Sequence, residues 1–212
     1  MTTILCYGDS ITWGYIPGNL GRYALEKRWP TVLQEEIGKE FHVVAEGLCG
    51  RYTVHDEPYR VGRNGAALLQ PILETHSPVD LLIILLGTND VLHHAGLSAF
   101  DAARGAEVLA KIALASETGP SAAAPKVMII SPPRIRTLSS ELLELCHGDP
   151  SGSENFSRVF RRLAEARKLF FLDAAAVVEP SRVDGVHLDE SGLSALGKAV
   201  AGEVLTIFGK FT

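Results

Sequence analysis

The sequence predicts an α/β protein in which a five-stranded parallel sheet lies between two layers of helices. Three observations lead there. Short apolar runs alternate with longer segments of helical period along the chain, the pattern left by repeated strand-helix-strand units. Apart from Asp80 near its start, the run from Val79 to Leu86 is apolar on both faces, as a central strand covered by helices on each side must be. Polar, glycine-bearing loops follow the first three runs, and in such sheets ligands and reacting groups gather at the carboxyl ends of the strands.

Ile4 to Tyr7 has strand character and runs into Gly8-Asp9-Ser10, a turn-prone tripeptide that also supplies helix-capping chemistry. The Ser10 hydroxyl is therefore expected where the first strand ends. The glycine-rich loop from Tyr15 to Tyr23 is expected to wall a pocket beside it. Helical spacing at Trp29, Val32, Leu33 and Ile37 stops at Gly38. Phe41 to Ala45 forms the second strand and delivers the chain to a loop from Glu46 to Thr53; Val54 to Asn64 is polar and irregular. Gly65 to His76 carries Leu68, Leu69 and Leu73, but Pro71 argues against a regular helix there unless it falls in the first turn. Gly87-Thr88-Asn89-Asp90 follows the central strand directly.

Ala99 to Ser116 is an Ala-rich helix with Val108, Leu109 and Ile112 at apolar positions, ending before Gly119-Pro120. Pro125 to Ile130 is the fourth strand. Between Pro133 and Gly152 the chain makes a long excursion bearing Leu142, Leu143 and Leu145. It is a candidate substrate lid, subunit contact or satellite cluster folded on its own domain. Phe156 to Lys168 is a helix, Leu169 to Leu172 the fifth strand, and about Glu190 to Phe208 the last helix. Without repeats, low-complexity tracts or linkers, residues 1–212 read as one domain, with the sheet in the flavodoxin-like order 2-1-3-4-5.

The chain is 212 residues long, with 46% hydrophobic and 21% charged residues, enough to bury a sizeable core. A net charge of -5 leaves no basic footprint for nucleic acid or anionic lipid. The apolar run Leu81 to Leu86 is far too short to span a bilayer. The first strand begins too early to leave room for a signal peptide, so the expected compartment is the cytoplasm. Cys6, Cys49 and Cys146 are scattered without CxxC spacing, which argues against a disulfide framework and a zinc knuckle. Cys6 reads as a buried hydrophobe, and Cys49 as a nucleophile less well placed than Ser10. His93 and His94 are adjacent and would point apart on a helix; no metal or cofactor is expected. Neither a P-loop nor a G-x-G-x-x-G follows the first strand.

Acyl transfer by a serine needs a base in hydrogen-bond reach, a carboxylate to fix the base's tautomer, and N–H donors where the oxyanion develops. The chain has a candidate for each. His187 is the candidate base and Asp184, three residues earlier, its orienting carboxylate. Ser10 and Gly50 offer backbone N–H groups and Asn89 a side-chain amide. Ile11, Tyr15 and Val186 flank these residues in sequence and are expected to form a small apolar pocket that favours short acyl chains. Each residue also has a plainer reading: Asp184-Gly185 as a turn, Asn89-Asp90 as a helix cap, Gly50 as a positive-φ position.

Gly8-Asp9-Ser10, Gly50 in its loop, Gly87-Thr88-Asn89-Asp90 and Asp184-Gly185-Val186-His187-Leu188 resemble, in order and spacing, the four sequence blocks of the SGNH, or GDSL, hydrolase superfamily. That resemblance implies Ser10 as nucleophile, Gly50 and Asn89 as oxyanion donors, and His187 as base with Asp184 behind it. A closer likeness, to the bacterial aryl esterase and acyltransferase branch, is carried by several further segments. They are Asp9-Ser10-Ile11-Thr12-Trp13-Gly14, Glu46-Gly47-Leu48, Asn64-Gly65-Ala66, Leu86-Gly87-Thr88-Asn89-Asp90, and Ala124-Pro125-Lys126-Val127 followed by Ser131-Pro132-Pro133. Ile11 stands where the family name has leucine.

The branch implies a metal-free serine esterase for short-chain acetyl or aryl esters, with a small-molecule ester as substrate and acyl transfer as a side activity. It also implies a homo-oligomer, octamers included, with pockets narrowed by neighbouring subunits. The same machinery would serve a carbohydrate acetylesterase, a thioesterase or a lysophospholipase, and a flavodoxin-like sheet can also be a non-catalytic binding module.

Overall fold

The computed structural model describes residues 1–210. Its strands are Thr2–Gly8 (β1), Phe41–Gly47 (β2), Leu81–Leu85 (β3), Lys126–Ser131 (β4) and Phe170–Asp173 (β5). All pair in parallel, in the order β2-β1-β3-β4-β5, with Ile4 opposite Val43 on one side and Leu81 on the other. The helices are Ser10–Trp13 (α1), Trp29–Ile37 (α2), Gly65–Thr75 (α3), Thr88–His93 (α4), Ala99–Ala115 (α5), Ser140–Leu145 (α6), Phe156–Arg167 (α7) and Glu190–Ile207 (α8).

Strand side chains alternate between faces, and that alternation divides the core in two. Ile4, Cys6, Ile83 and Met128 pack against Leu33 of α2 and Leu196 and Val200 of α8. Leu5, Tyr7, Ile84 and Ile129 pack against Leu69 of α3, Leu109 of α5 and Phe160 of α7. Every residue of β3 is buried, which accounts for its unbroken apolar run; each such side chain contributes about 1.5–3 kcal/mol of burial free energy. No helix among the described residues is long and apolar enough to cross a membrane.

Two local expectations differ from the structure or are refined by it. Pro71 lies inside α3, well past its first turn. It costs one backbone hydrogen bond, about 3 kcal/mol in a helix interior. The Asn64 side chain, which caps the Ala66 and Ala67 N–H groups, and the full burial of Leu69 and Leu73 hold the helix against that cost, while Pro71 itself faces solvent. The excursion after Pro133 folds onto its own domain. Ser139 caps α6, the His147 and Gly148 N–H groups donate to Leu92 O at 3.2 and 3.0 Å, and Ser139 N donates to Asp184 O at 3.2 Å. These bonds tie the segment to the end of α4 and to the loop before α8, so it stands as a wall beside the strand ends.

Candidate active site

At the end of β1 the Asp9 carboxylate accepts the Ile11 N–H at 3.0 Å and starts α1, which brings Ser10 to the carboxyl edge of the sheet. The end of β2 presses against this helix: a Cβ on Gly47 would lie 2.3 Å from the Trp13 nitrogen, so only glycine fits. The chain then turns through Gly50 at φ +75°, a conformation that favours glycine and keeps the residue beside Ser10 in the same cleft.

A further component comes from the turn before α8. Ser181 N donates to His187 O at 2.8 Å and Gly185 N to Ser181 O at 2.9 Å. Within this turn Asp184 Oδ1 accepts the N–H groups of Val186 and His187, both at 2.9 Å, and Oδ2 lies 2.7 Å from His187 Nδ1. His187 Nε2 lies 2.9 Å from Ser10 Oγ, 177 residues away in the chain. Burial pushes the Asp184 carboxyl up, but the hydrogen bond from the His187 ring, its charge and the two backbone donors outweigh burial and hold the carboxyl below its usual range. An ionised carboxylate can only accept, so Nδ1 carries the imidazole proton and the Nε2 lone pair faces the Ser10 hydroxyl. The Tyr15 ring stacks on this imidazole with centroids 4.3 Å apart, and the Tyr15 N–H donates to Ser10 O at 3.0 Å.

Asn89, buried in the first turn of α4, directs its amide nitrogen to Arg51 O at 3.0 Å and Asp9 Oδ2 at 3.4 Å. Ser10, Gly50, Asn89 and His187 all open into one cleft of about 720 Å³, within the range of pockets for drug-sized ligands. Tyr15 and Val186 line it, as do Leu142, Leu145 and His147 from the excursion. Ile11 does not: it is 2% exposed and packs in the α2/α8 half of the core. Two residues that sequence reasoning passed over are part of the arrangement. Asp9, expected only as part of a capping turn, also touches Asn89, and Arg51 joins the strand ends; the only signal for Arg51 was adjacency to Gly50.

Cys49 also lines the cleft, but burial pushes its thiol up to about 11, which leaves it protonated and weakly nucleophilic at neutral pH. No group of three or more His, Cys, Asp or Glu side chains among the described residues is arranged to hold a metal ion.

Burial raises the Asp9 carboxyl to about 6, against the lowering effect of the Ile11 N–H. A raised acid favours the native state fully below about pH 4, and that advantage is lost as pH climbs through about 6. Two pK units correspond to about 3 kcal/mol. Asp9→Asn keeps an oxygen for the Ile11 N–H and cannot ionise. Between about pH 4.5 and 7.5 its melting temperature should therefore shift in its favour, relative to wild type, by roughly 5 °C or more. A difference that stays constant across that window would exclude Asp9 as a buried titrating acid.

Comparison with known proteins gives a consistent picture. The model of the GDSL-like lipase/acylhydrolase family matches residues 6–195. The native aryl esterase of Mycobacterium smegmatis is 37% identical, with a TM-score of 0.92 over 97% of this chain and 99% of that one. A carbohydrate acetylesterase from Sinorhizobium meliloti is 32% identical, with a TM-score of 0.93 over 98% and 100% of the two chains. A carbohydrate acetylesterase family member from the same organism is 37% identical, with a TM-score of 0.92 over 99% and 100%. A search of curated proteins found no match. The family match runs from Cys6 in β1 to beyond the turn that carries His187, and together with neighbours that share the whole fold it establishes that the chain belongs to the GDSL-like lipase/acylhydrolase family.

Proposed function

We propose that the protein hydrolyses short-chain carboxylic esters, acetyl and aryl esters among them, with Ser10 as nucleophile. The observation that carries this reading is the hydrogen-bonded line from Asp184 through His187 to Ser10, with spacings of 2.7 and 2.9 Å, which ends in the cleft. Ser10 Oγ attacks the carbonyl carbon as Nε2 takes its proton, and Asp184 stabilises the resulting imidazolium. The Ser10 and Gly50 N–H groups and the Asn89 amide receive the oxyanion. Collapse expels the alcohol, protonated by the imidazolium. Water, deprotonated by His187, then releases the acyl group; an alcohol in its place gives acyl transfer.

Tyr15 and Val186 beside Ser10 support a short acyl group. The outer cleft is lined by Asp56, Glu57, Arg60, His93 and His147, hydrogen-bonding groups that suit a hydroxyl-rich alcohol and favour a carbohydrate acetyl ester as the second reading. Leu143 and Leu145, 63% and 59% exposed on α6, support a homo-oligomer in which a second copy covers this wall.

The test combines 4-nitrophenyl acetate hydrolysis, with and without a chelator, and reaction with a fluorophosphonate. The expected results are chelator-resistant turnover and one phosphonyl adduct, on Ser10. Asn89→Ala should lower kcat by about 10²- to 10³-fold, about 3 kcal/mol, with little change in KM. An adduct on another residue, or turnover lost with the chelator, would overturn the reading.

A further inference from the structure

Arg51 follows Gly50 and is 3% exposed. Its Nη1 donates to Gly8 O at 2.9 Å and to Glu46 O, at the carboxyl ends of β1 and β2. Its guanidinium carbon sits 4.0 Å from the centroid of the Tyr7 ring. Among the described residues no carboxylate lies within ion-pair distance of it, and Nε is buried with no hydrogen-bond partner. Burying a cation that touches no carboxylate is costly; Asp9 and Glu46 favour its charge only from a distance and do not outweigh burial, so the side chain must return something for its place.

Its contacts indicate what. Gly8 O, which takes the Arg51 guanidinium, also accepts the Leu48 N–H at 3.1 Å, and Leu48 O accepts the Arg51 N–H at 3.0 Å. Arg51 O in turn accepts the Asn89 amide at 3.0 Å. Ser10 lies two residues after Gly8, Gly50 one residue before Arg51, and Asn89 hangs on the Arg51 carbonyl. The three donors proposed for the oxyanion thus come from three separate segments of the chain, and a single residue ties those segments together.

We propose that Arg51 is the positioning residue of the oxyanion site, holding the Gly8 turn, the Gly50 loop and Asn89 in one register while charge develops on the substrate. This rests on the reading of Ser10 as a serine nucleophile. Donors that act on the transition state affect kcat more than KM, and a displacement of about 1 Å costs about 10²-fold. A purely architectural arginine would instead reduce the folded fraction and leave turnover per intact site unchanged.

The experiment compares wild type, Arg51→Met and Arg51→Lys. It measures kcat and KM for 4-nitrophenyl acetate, with active sites counted by fluorophosphonate adduct on intact-protein mass. Arg51→Met, of similar reach without charge, should lose about 100-fold in kcat per labelled site with KM within about threefold. It should also lose affinity for an arylboronic acid, whose serine adduct is tetrahedral, by a similar factor. Arg51→Lys, able to reach one of the two carbonyls, should lose about tenfold in kcat with KM unchanged. A kcat per site within about threefold of wild type overturns the proposal, as does a rise in KM that accounts for the whole loss. Should Arg51→Met not fold, Arg51→Lys decides, and a wild-type kcat there overturns it. Absence of a Ser10 adduct in wild type sinks the underlying serine reading instead, whatever the Arg51 variants do.

Discussion

Ser10→Ala is expected to lower kcat for 4-nitrophenyl acetate by about 10⁴- to 10⁶-fold and to leave the fold intact. The fold survives because the bonds that shape the turn do not pass through the hydroxyl. Ile11 N donates to the Asp9 carboxylate, Trp13 N to Asp9 O, and Gly14 and Tyr15 N to Ser10 O. The one side-chain bond lost is the 2.9 Å contact with His187 Nε2. With Gly50 and Asn89 in the proposed oxyanion site, what would remain is a bound ester with no nucleophile, an arrangement expected to retain about 10³- to 10⁴-fold over water. Purified variant with a wild-type melting curve supplies the measurement. Turnover within tenfold of wild type would remove Ser10 from the chemistry; loss of that residual activity on Cys49→Ala would then transfer the role to the neighbouring thiol.

The sheet was legible because its signals are local. The doubly apolar run of β3 could only be covered on both sides, and the glycine-bearing loops after β1, β2 and β3 had to meet at one edge once the strands were parallel. The same logic brings Ser10, Gly50, Asn89 and the Asp184–His187 turn to one cleft.

Ile11 eluded it for a geometric reason. Successive helical residues diverge by about 100°, so with Ser10 facing the cleft the next side chain is turned into the core. Tyr15, just beyond α1, is free of that constraint and stacks on His187. Pro71 misled because propensity is overridden by a cap and two fully buried leucines on the opposite face. Arg51 gave almost no signal, since an arginine after a glycine reads as surface. The role proposed for it depends on carbonyls of Gly8 and Glu46, which sequence cannot bring together without the register of β1 and β2.

Asp184→Asn should cost about 10⁴-fold in kcat while preserving the turn. The asparagine oxygen can still accept the Val186 and His187 N–H groups that now reach Oδ1 at 2.9 Å. Its amide nitrogen then faces His187 Nδ1, where the carboxylate oxygen accepted at 2.7 Å. Donor meets donor unless the imidazole moves its proton to Nε2, and Nε2 in that state offers Ser10 Oγ a hydrogen where a lone pair is needed.

Stability provides a second readout with its own sign. The Asp184 carboxyl is held below its usual range by the His187 ring and backbone donors, against burial. Its contribution to folding is therefore present above about pH 4 and disappears as pH falls through its lower native value. Wild type should unfold at a higher temperature than Asp184→Asn at about pH 7, and the gap should narrow as pH falls below about 4. A variant within tenfold of wild-type kcat would show that Asp184 does not set the tautomer of His187. A stability gap that persists unchanged into acid would show that the aspartate acts through packing and not through its charge.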